Sequence, residues 1–171
     1  VSLFFSGCPI RCEVNPQCGR EKELKLVKTN NSQNVVIIGG GVAGMEAARY
    51  GSEVGHKMTL IEKTNELGGH FIEATKPTFK EDHKRVLDWL KTQVKKSNTK
   101  VMMNTEATPE LIKELNPDAV IIATGSHYTS IPVSGIEKAI TPDVAIKREV
   151  PIGHKVVVIG GGLVGSEVAL D

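Results

Sequence analysis

Apolar residues along this chain alternate between short strand-like runs and longer stretches with helical spacing. Residues 34–38, 57–62, 100–104, 119–123 and 155–159 are short, largely apolar and bounded by polar or turn-forming residues, so each predicts a strand. Residues 34–38 predict a buried strand, and 119–123, all Ala, Val and Ile, a fully apolar buried one. Between them, 80–96 carries Val86, Leu87, Leu90 and Val94 on one helical face, with Lys, Asp and Glu opposite. Residues 44–55 predict a helix in which Ala47 and Ala48 allow close packing. Thr108-Pro109-Glu110 predicts a helix start, with Thr as N-cap and Pro at the first position, and Asn116-Pro117 predicts its end. Residues 66–77 predict a loop holding Gly68-Gly69-His70, and 127–153 a connector punctuated by Pro132, Pro142 and Pro151. Residues 1–33 have no clean period. They contain Gly7, Pro9, Pro16 and Gly19 before a polar stretch, and predict an irregular arm ending in a linker. Strands alternating with helices predict an α/β fold with a doubly wound parallel sheet. The expected division is an arm at 1–33, a first unit at 34–126, a connector at 127–153 and the start of a second unit at 154–171.

Two glycine fingerprints carry the chemistry. Gly39-Gly40-Gly41-Val42-Ala43-Gly44 and Gly160-Gly161-Gly162-Leu163-Val164-Gly165 each follow an apolar strand and open a helix. In G-x-G-x-x-G the first glycine permits the tight turn, the second lets backbone approach a pyrophosphate, and the third lets helix and strand pack closely. Gly39, Gly41, Val42, Ala43 and Gly44 are therefore candidate contacts of one dinucleotide, and Gly160, Gly162, Leu163, Val164 and Gly165 of another. A Gly-rich turn of an α/β core would be the plain alternative. The first motif has more context: Glu62 lies at the end of the next predicted strand, where a carboxylate accepts hydrogen bonds from ribose hydroxyls. Glu62 would repel a 2′-phosphate, which disfavours NADP in the first site. Lys63 suits a surface residue better than a phosphate ligand, yet its position keeps it among the candidate contacts. Taken alone, His70 reads as a loop residue; beside a pyrophosphate site, Gly68 and Gly69 bring backbone close to the cofactor, which keeps Gly69 and His70 among the candidate contacts. Ala123, Thr124 and Gly125 leave a strand at the end where open α/β sheets bind ligands. A βαβ unit needs ~30 residues. Only six residues follow Gly165, and Val1 stands where an initiator Met is expected, so the chain reads as a piece of a larger protein.

Composition narrows the class. A net charge of +1 and a single Trp argue against a nucleic-acid partner. No apolar run approaches the ~20 residues that span a bilayer, so no membrane role is expected and the cytoplasm is the expected location. Cys8, Cys12 and Cys18 crowd one end at C-x3-C-x5-C spacing. This fits neither a structural zinc pattern nor a self-contained cluster run, and taken alone reads as free thiols. No Ser/His/Asp, Cys/His or paired-carboxylate grouping stands out, so no catalytic acid or base is expected here.

The segment Pro9-Ile10-Arg11-Cys12-Glu13-Val14-Asn15-Pro16-Gln17-Cys18-Gly19-Arg20-Glu21 resembles the junction after the flavin barrel of large old-yellow-enzyme-like oxidoreductases, which include 2-enoate and 2,4-dienoyl-CoA reductases. The resemblance continues through both fingerprints, Glu62, Leu67-Gly68-Gly69-His70 and Ala123-Thr124-Gly125. It implies an incomplete FAD/NAD(P)-binding, Rossmann-like fold. Electrons would pass from NAD(P)H through FAD and a [4Fe–4S] cluster to FMN, which would reduce an enoate- or enone-type small-molecule substrate on a separate barrel. It also implies that Cys12 is one cluster ligand, whereas Cys8 and Cys18 match no ligand position. A homo-oligomer is compatible with it. Two other readings share the fingerprints: an electron-transfer flavoprotein like the small subunit of glutamate synthase, and a module that holds ADP structurally without redox work.

Overall fold

A computed structural model of the chain describes residues 12, 14–129 and 131–171. Cys8 and most of the junction's first residues lie outside these. Four parallel strands form one sheet: β1 Asn34–Ile38, β2 Lys57–Ile61, β3 Lys100–Met102 and β4 Ala119–Ile122, in the order β3-β2-β1-β4. Asn34 pairs with Lys57 and Ile38 with Ile61, while Val35 pairs with Ala119 on the other side. The chain winds outward from β1 to β3 and then returns to place β4 against β1. That reversal makes the C-terminal ends of β1 and β4 a switch point, where such sheets open a crevice for ligands.

Two helices build the core on one face. Helix α1, Val42–Val54, and α3, Glu81–Lys96, pack together and against the sheet. Alternation along the strands sends Val35, Ile37, Met58 and Leu60 to this face, where they meet Met45, Ala48, Leu87, Leu90 and Val94. Val36 and Ile61, on the opposite face, are buried as well. Helix α4, Pro109–Leu115, is capped as its sequence predicts: Thr108 Oγ1 accepts from the Leu111 amide at 3.2 Å, and Asn116 closes it in the left-handed region. The linker is tied in at the opposite end of the sheet, where Ser32 Oγ donates to the Gly55 carbonyl at 2.7 Å and the Asn34 amide to Asp118 Oδ2 at 2.7 Å.

Four expectations need correction. The 66–77 loop contains a one-turn helix, α2 Phe71–Ala74. The connector contains a 3₁₀ turn, Ile136–Lys138, and helix α5, Pro142–Lys147, which like α4 begins with Thr-Pro but has no side-chain cap hydrogen bond from its Thr141. Strand β4 is exposed rather than buried, with Ile122 76% accessible, because it is an edge strand paired only with β1. Residues 155–159 form no strand: Val157 is 87% accessible, and no described strand offers them a ladder. The helix after them, α6 Leu163–Leu170, does form. It packs on α5 and is held by Lys80 Nζ, 2.5 Å from Glu167 Oε2. Among the described residues no helix is long and apolar enough to cross a membrane.

The core predicts graded costs. Leu60 is fully buried against both helices, so Leu60→Ala should lower unfolding free energy by about 2–5 kcal/mol in urea titrations. Thr108→Ala, which removes only a helix cap, should cost about 1 kcal/mol.

Candidate functional site

Strand β1 ends in a turn where Gly39 takes φ +107°, a left-handed value that favours glycine. A Cβ at Gly39 would also collide with the Ala123 carbonyl at the exit of β4. Gly44, in the first turn of α1, lies against the Gly39 carbonyl with no room for a side chain. These two glycines are required by the protein itself. Gly41 differs. It caps α1 with ordinary angles, φ −69° and ψ −177°, and a Cβ there would meet no protein atom within 4 Å.

Among the described residues no side chain caps this helix. Gly41 offers no side chain and the first turn holds no acid. The amides of Val42, Ala43 and Gly44 belong to the four donors that a helix N-terminus leaves unpaired, and the helix dipole adds partial positive charge there. Val42 is half-buried and Ala43 exposed beside this end.

A second loop closes over the first. The Gly68 amide donates to the Gly40 carbonyl at 2.8 Å. Gly69, at φ +53°, brings its backbone so near that a Cβ on it would lie 3.3 Å from Gly41 Cα. His70 Nε2 is 2.8 Å from the Ser126 carbonyl, which accepts, so this nitrogen carries the hydrogen. Its ring also meets Tyr128 edge-on, with centroids 5.7 Å apart. Ala123 donates its amide to the Ile38 carbonyl at 2.8 Å, and Gly125, at φ +75°, has open space around its Cα. The structure thus gathers Gly39, Gly41, Val42, Ala43, Gly44, Glu62, Gly69, His70, Ala123, Thr124 and Gly125 at one end of the sheet. Lys63 is exposed beside Glu62.

Glu62 does more than its sequence suggests. It is 7% accessible, and Oε2 accepts from the Gly40 amide at 2.7 Å. Oε1 accepts from both the Thr64 amide and hydroxyl at 2.8 Å. Burial pulls its pKa upward, but the Thr64 and Gly40 amides, the Thr64 hydroxyl and the charge of Lys63 together hold it below the ordinary value. The carboxylate therefore stays ionised and fixes the Gly-rich turn, with about one acceptor position left for an outside donor. Thr64 was not singled out in the sequence; a Thr two residues after a buried acid was its only signal.

The second fingerprint repeats the first locally. Gly160 takes φ +108°, Gly162 caps α6 with φ −75° and ψ −174°, and Gly165 lies against the Gly160 carbonyl. Leu163 and Val164 are exposed beside this cap. It sits apart from any described strand, and Gly160 has none of the neighbours that crowd Gly39.

Among the described residues the cysteines assemble no centre. Cys12 is exposed, Cys18 is half-buried, and both are free. The described residues contain no grouping of three or more His, Cys, Asp or Glu able to hold a metal, and one thiolate does not make an iron–sulfur site.

Comparison with known proteins agrees with this geometry. The pyridine nucleotide-disulphide oxidoreductase family matches over residues 12–114 and 33–171. The chain is similar to a cinnamate reductase of Clostridium sporogenes, 43% identical over 94% of this chain, and to a bilirubin reductase of Mediterraneibacter gnavus, 40% identical over 94%. It covers 24% and 25% of those proteins, so it spans about a quarter of the length of the curated relatives it matches. A solved 2-naphthoyl-CoA reductase superposes with a TM-score of 0.90 at 31% identity, over 98% of this chain and 26% of that one.

The Glu62 linkage predicts an acid-side effect. A lowered folded pKa contributes stability that is fully present above the unfolded value, about 4.3, and is lost as pH falls through the folded value. Glu62→Gln should therefore be less stable than wild type at pH 7. The gap between their urea midpoints should shrink as pH is lowered below about 4.

Proposed function

Because the chain belongs to the pyridine nucleotide-disulphide oxidoreductase family, within the old-yellow-enzyme-like reductases, we propose that its first unit, 34–126, binds FAD and that 154–171 opens an NAD(P)H-binding unit. One observation carries this reading. Of the three glycines in the first fingerprint, Gly39 and Gly44 are demanded by protein contacts, and Gly41 is not. The reason for a glycine at Gly41 is what approaches it from outside, beside uncapped helix amides suited to a pyrophosphate.

Each candidate then has a task. The Val42, Ala43 and Gly44 amides bind phosphate oxygens, with Gly41 admitting them. Glu62 turns its remaining acceptor position to a ribose hydroxyl and rejects a 2′-phosphate. Lys63 offers a nearby positive charge. Gly69 and His70 border the cofactor from the β2 side, and Ala123, Thr124 and Gly125 from the β4 side. Gly160, Gly162, Leu163, Val164 and Gly165 do for the nicotinamide dinucleotide what the first fingerprint does for FAD. When bound, FAD supplies hydride acceptance coupled to release of single electrons. This chain's own part is to bind, orient and select the dinucleotides.

The reading extends to the protein that carries this chain: a cytoplasmic NAD(P)H-dependent reductase acting on an enoate- or enone-type substrate. Its FMN and most of its [4Fe–4S] ligands lie outside these residues, and Cys12 is one ligand of the cluster. The cinnamate and bilirubin reductases support this substrate class by their names, and the junction at Cys12-Glu13-Val14-Asn15-Pro16 supports the cluster.

Gly41→Val should leave the fold intact, since the protein leaves room for the side chain, and should weaken FAD binding by at least about tenfold in flavin-fluorescence titrations. Gly44→Val should disrupt the fold instead. Undiminished FAD affinity in folded Gly41→Val would remove the assignment. For the cluster, Cys12→Ser should lower iron content in the whole protein and Cys18→Ser should not; equal iron in all three would overturn that part.

A further inference from the structure

Behind the Gly68–His70 loop lies a cluster of charges that neither fingerprint uses. Glu73, in the one-turn helix α2, is 6% accessible. Its Oε1 is 2.6 Å from Lys147 Nζ, on α5 of the connector. Its Oε2 is buried without a hydrogen-bond partner, 3.9 Å from His70 Nδ1. Asp143 and Glu149 stand 4.0 and 3.8 Å from the same ammonium. The Lys147 pKa is raised, first by its hydrogen bond to Glu73, against the opposing effect of burial and with the charges of Glu73, Glu149 and Asp143 adding. Tyr128, edge-on to His70, has its pKa raised by burial and by Asp143 and Glu73, with Lys147 opposing. Helix α5 packs on α2 at one side and on α6, the helix of the second fingerprint, at the other.

We propose that Lys147 is a positioning residue for the first cofactor site: through Glu73 it holds α2, and with it Gly69 and His70, in place over Gly41. The physical argument turns on the buried carboxylate. Without the ammonium, Glu73 is an unpaired charge in a dry setting, which is strongly unfavourable. A helix of one turn has no stability of its own, so moving α2 is the cheapest way to return Glu73 to water. Neither Glu73 nor Lys147 belongs to the core of the first and third helices and the sheet, against which α2 sets only Phe71 and Ile72, whereas His70 directly precedes α2 and Gly69 precedes His70. Because the same α5 seats α6, this ion pair also joins the connector of the second fingerprint to the loop of the first.

The inference rests on the reading that the loop borders FAD, and its test has an arm that needs no cofactor. Amide hydrogen exchange on the ligand-free chain should show faster exchange at residues 68–75 in Lys147→Met, with 81–96 unchanged. Lys147→Arg should restore wild-type rates, because the guanidinium keeps the charge and the hydrogen bond. FAD titration should show about tenfold weaker binding in Lys147→Met and recovery in Lys147→Arg, as expected for loss of a charge-assisted contact behind a binding loop. Unchanged exchange at 68–75, equal loosening at 81–96, or no rescue by arginine would each overturn the proposal. If the whole protein that carries this chain binds no FAD, the cofactor reading fails, and the exchange result still decides whether Lys147 positions the loop. Should Lys147→Met not fold, Lys147→Gln makes the same comparison: it takes the positive charge from the buried Glu73 carboxylate while keeping a polar side chain, and should speed exchange at 68–75 alone. Unchanged rates there would count against the proposal.

Discussion

Helix α1 starts so close to the end of β1 that the Gly39 carbonyl occupies the space of a side chain at Gly44. The rest of the candidate site depends on this approach. It aims the unpaired amides of α1 at the crevice between β1 and β4 rather than at solvent beside the sheet. It also presses the turn against the exit of β4, since Gly39 meets the Ala123 carbonyl. A turn this tight leaves the Gly40 amide pointing back toward β2, and Glu62 receives it there. The acid that reads in the sequence as a ribose contact is therefore first a clamp on the turn. The ribose role proposed for it is compatible with this clamp, because a carboxylate already held by three donors is rigid and stays charged when a further donor arrives.

The two fingerprints separate local from tertiary causes. Their glycines adopt nearly the same angles and the same glycine-on-carbonyl contact, although only the first is attached to a strand in a sheet. The turn is thus encoded within the six residues themselves. The strand before it is not: 34–38 pairs on both sides, and 155–159, equally apolar, pairs with nothing described. A helix start can be satisfied within its own segment, whereas a strand needs a neighbour. Context also decides crowding, since Gly39 is packed against β4 and Gly160 has no neighbour within 4 Å.

That difference explains what was legible in the sequence. The helices with strong periodicity or caps were readable, because Leu87, Leu90, Val94 and Thr108 act within their own element. So were β1 and β2 and the grouping of both loops at one end of the sheet. The exposure of β4 was not, because an all-apolar strand reads the same at an edge as at a centre, and only the strand order distinguishes them. Helices α2 and α5 were missed because each is too short to show a period. One contact that ties them together joins residues 73 and 147, and no local pattern announces a pair so far apart.

The acids beside the uncapped helix end are engaged elsewhere. The charge of Glu62 is taken up by the Gly40 amide and by Thr64 rather than by the amides of Val42 and Ala43. Glu73 is close in sequence to the loop, yet its charge is drawn the other way, toward Lys147. Each acid beside the crevice is thus committed to a partner that is not the helix. An N-terminus with no acid in its first turn and no capping side chain keeps its donors and its dipole available to an outside anion. On the proposed reading, the side chain omitted at Gly41, where a Cβ would meet no protein atom within 4 Å, is what leaves room for that anion.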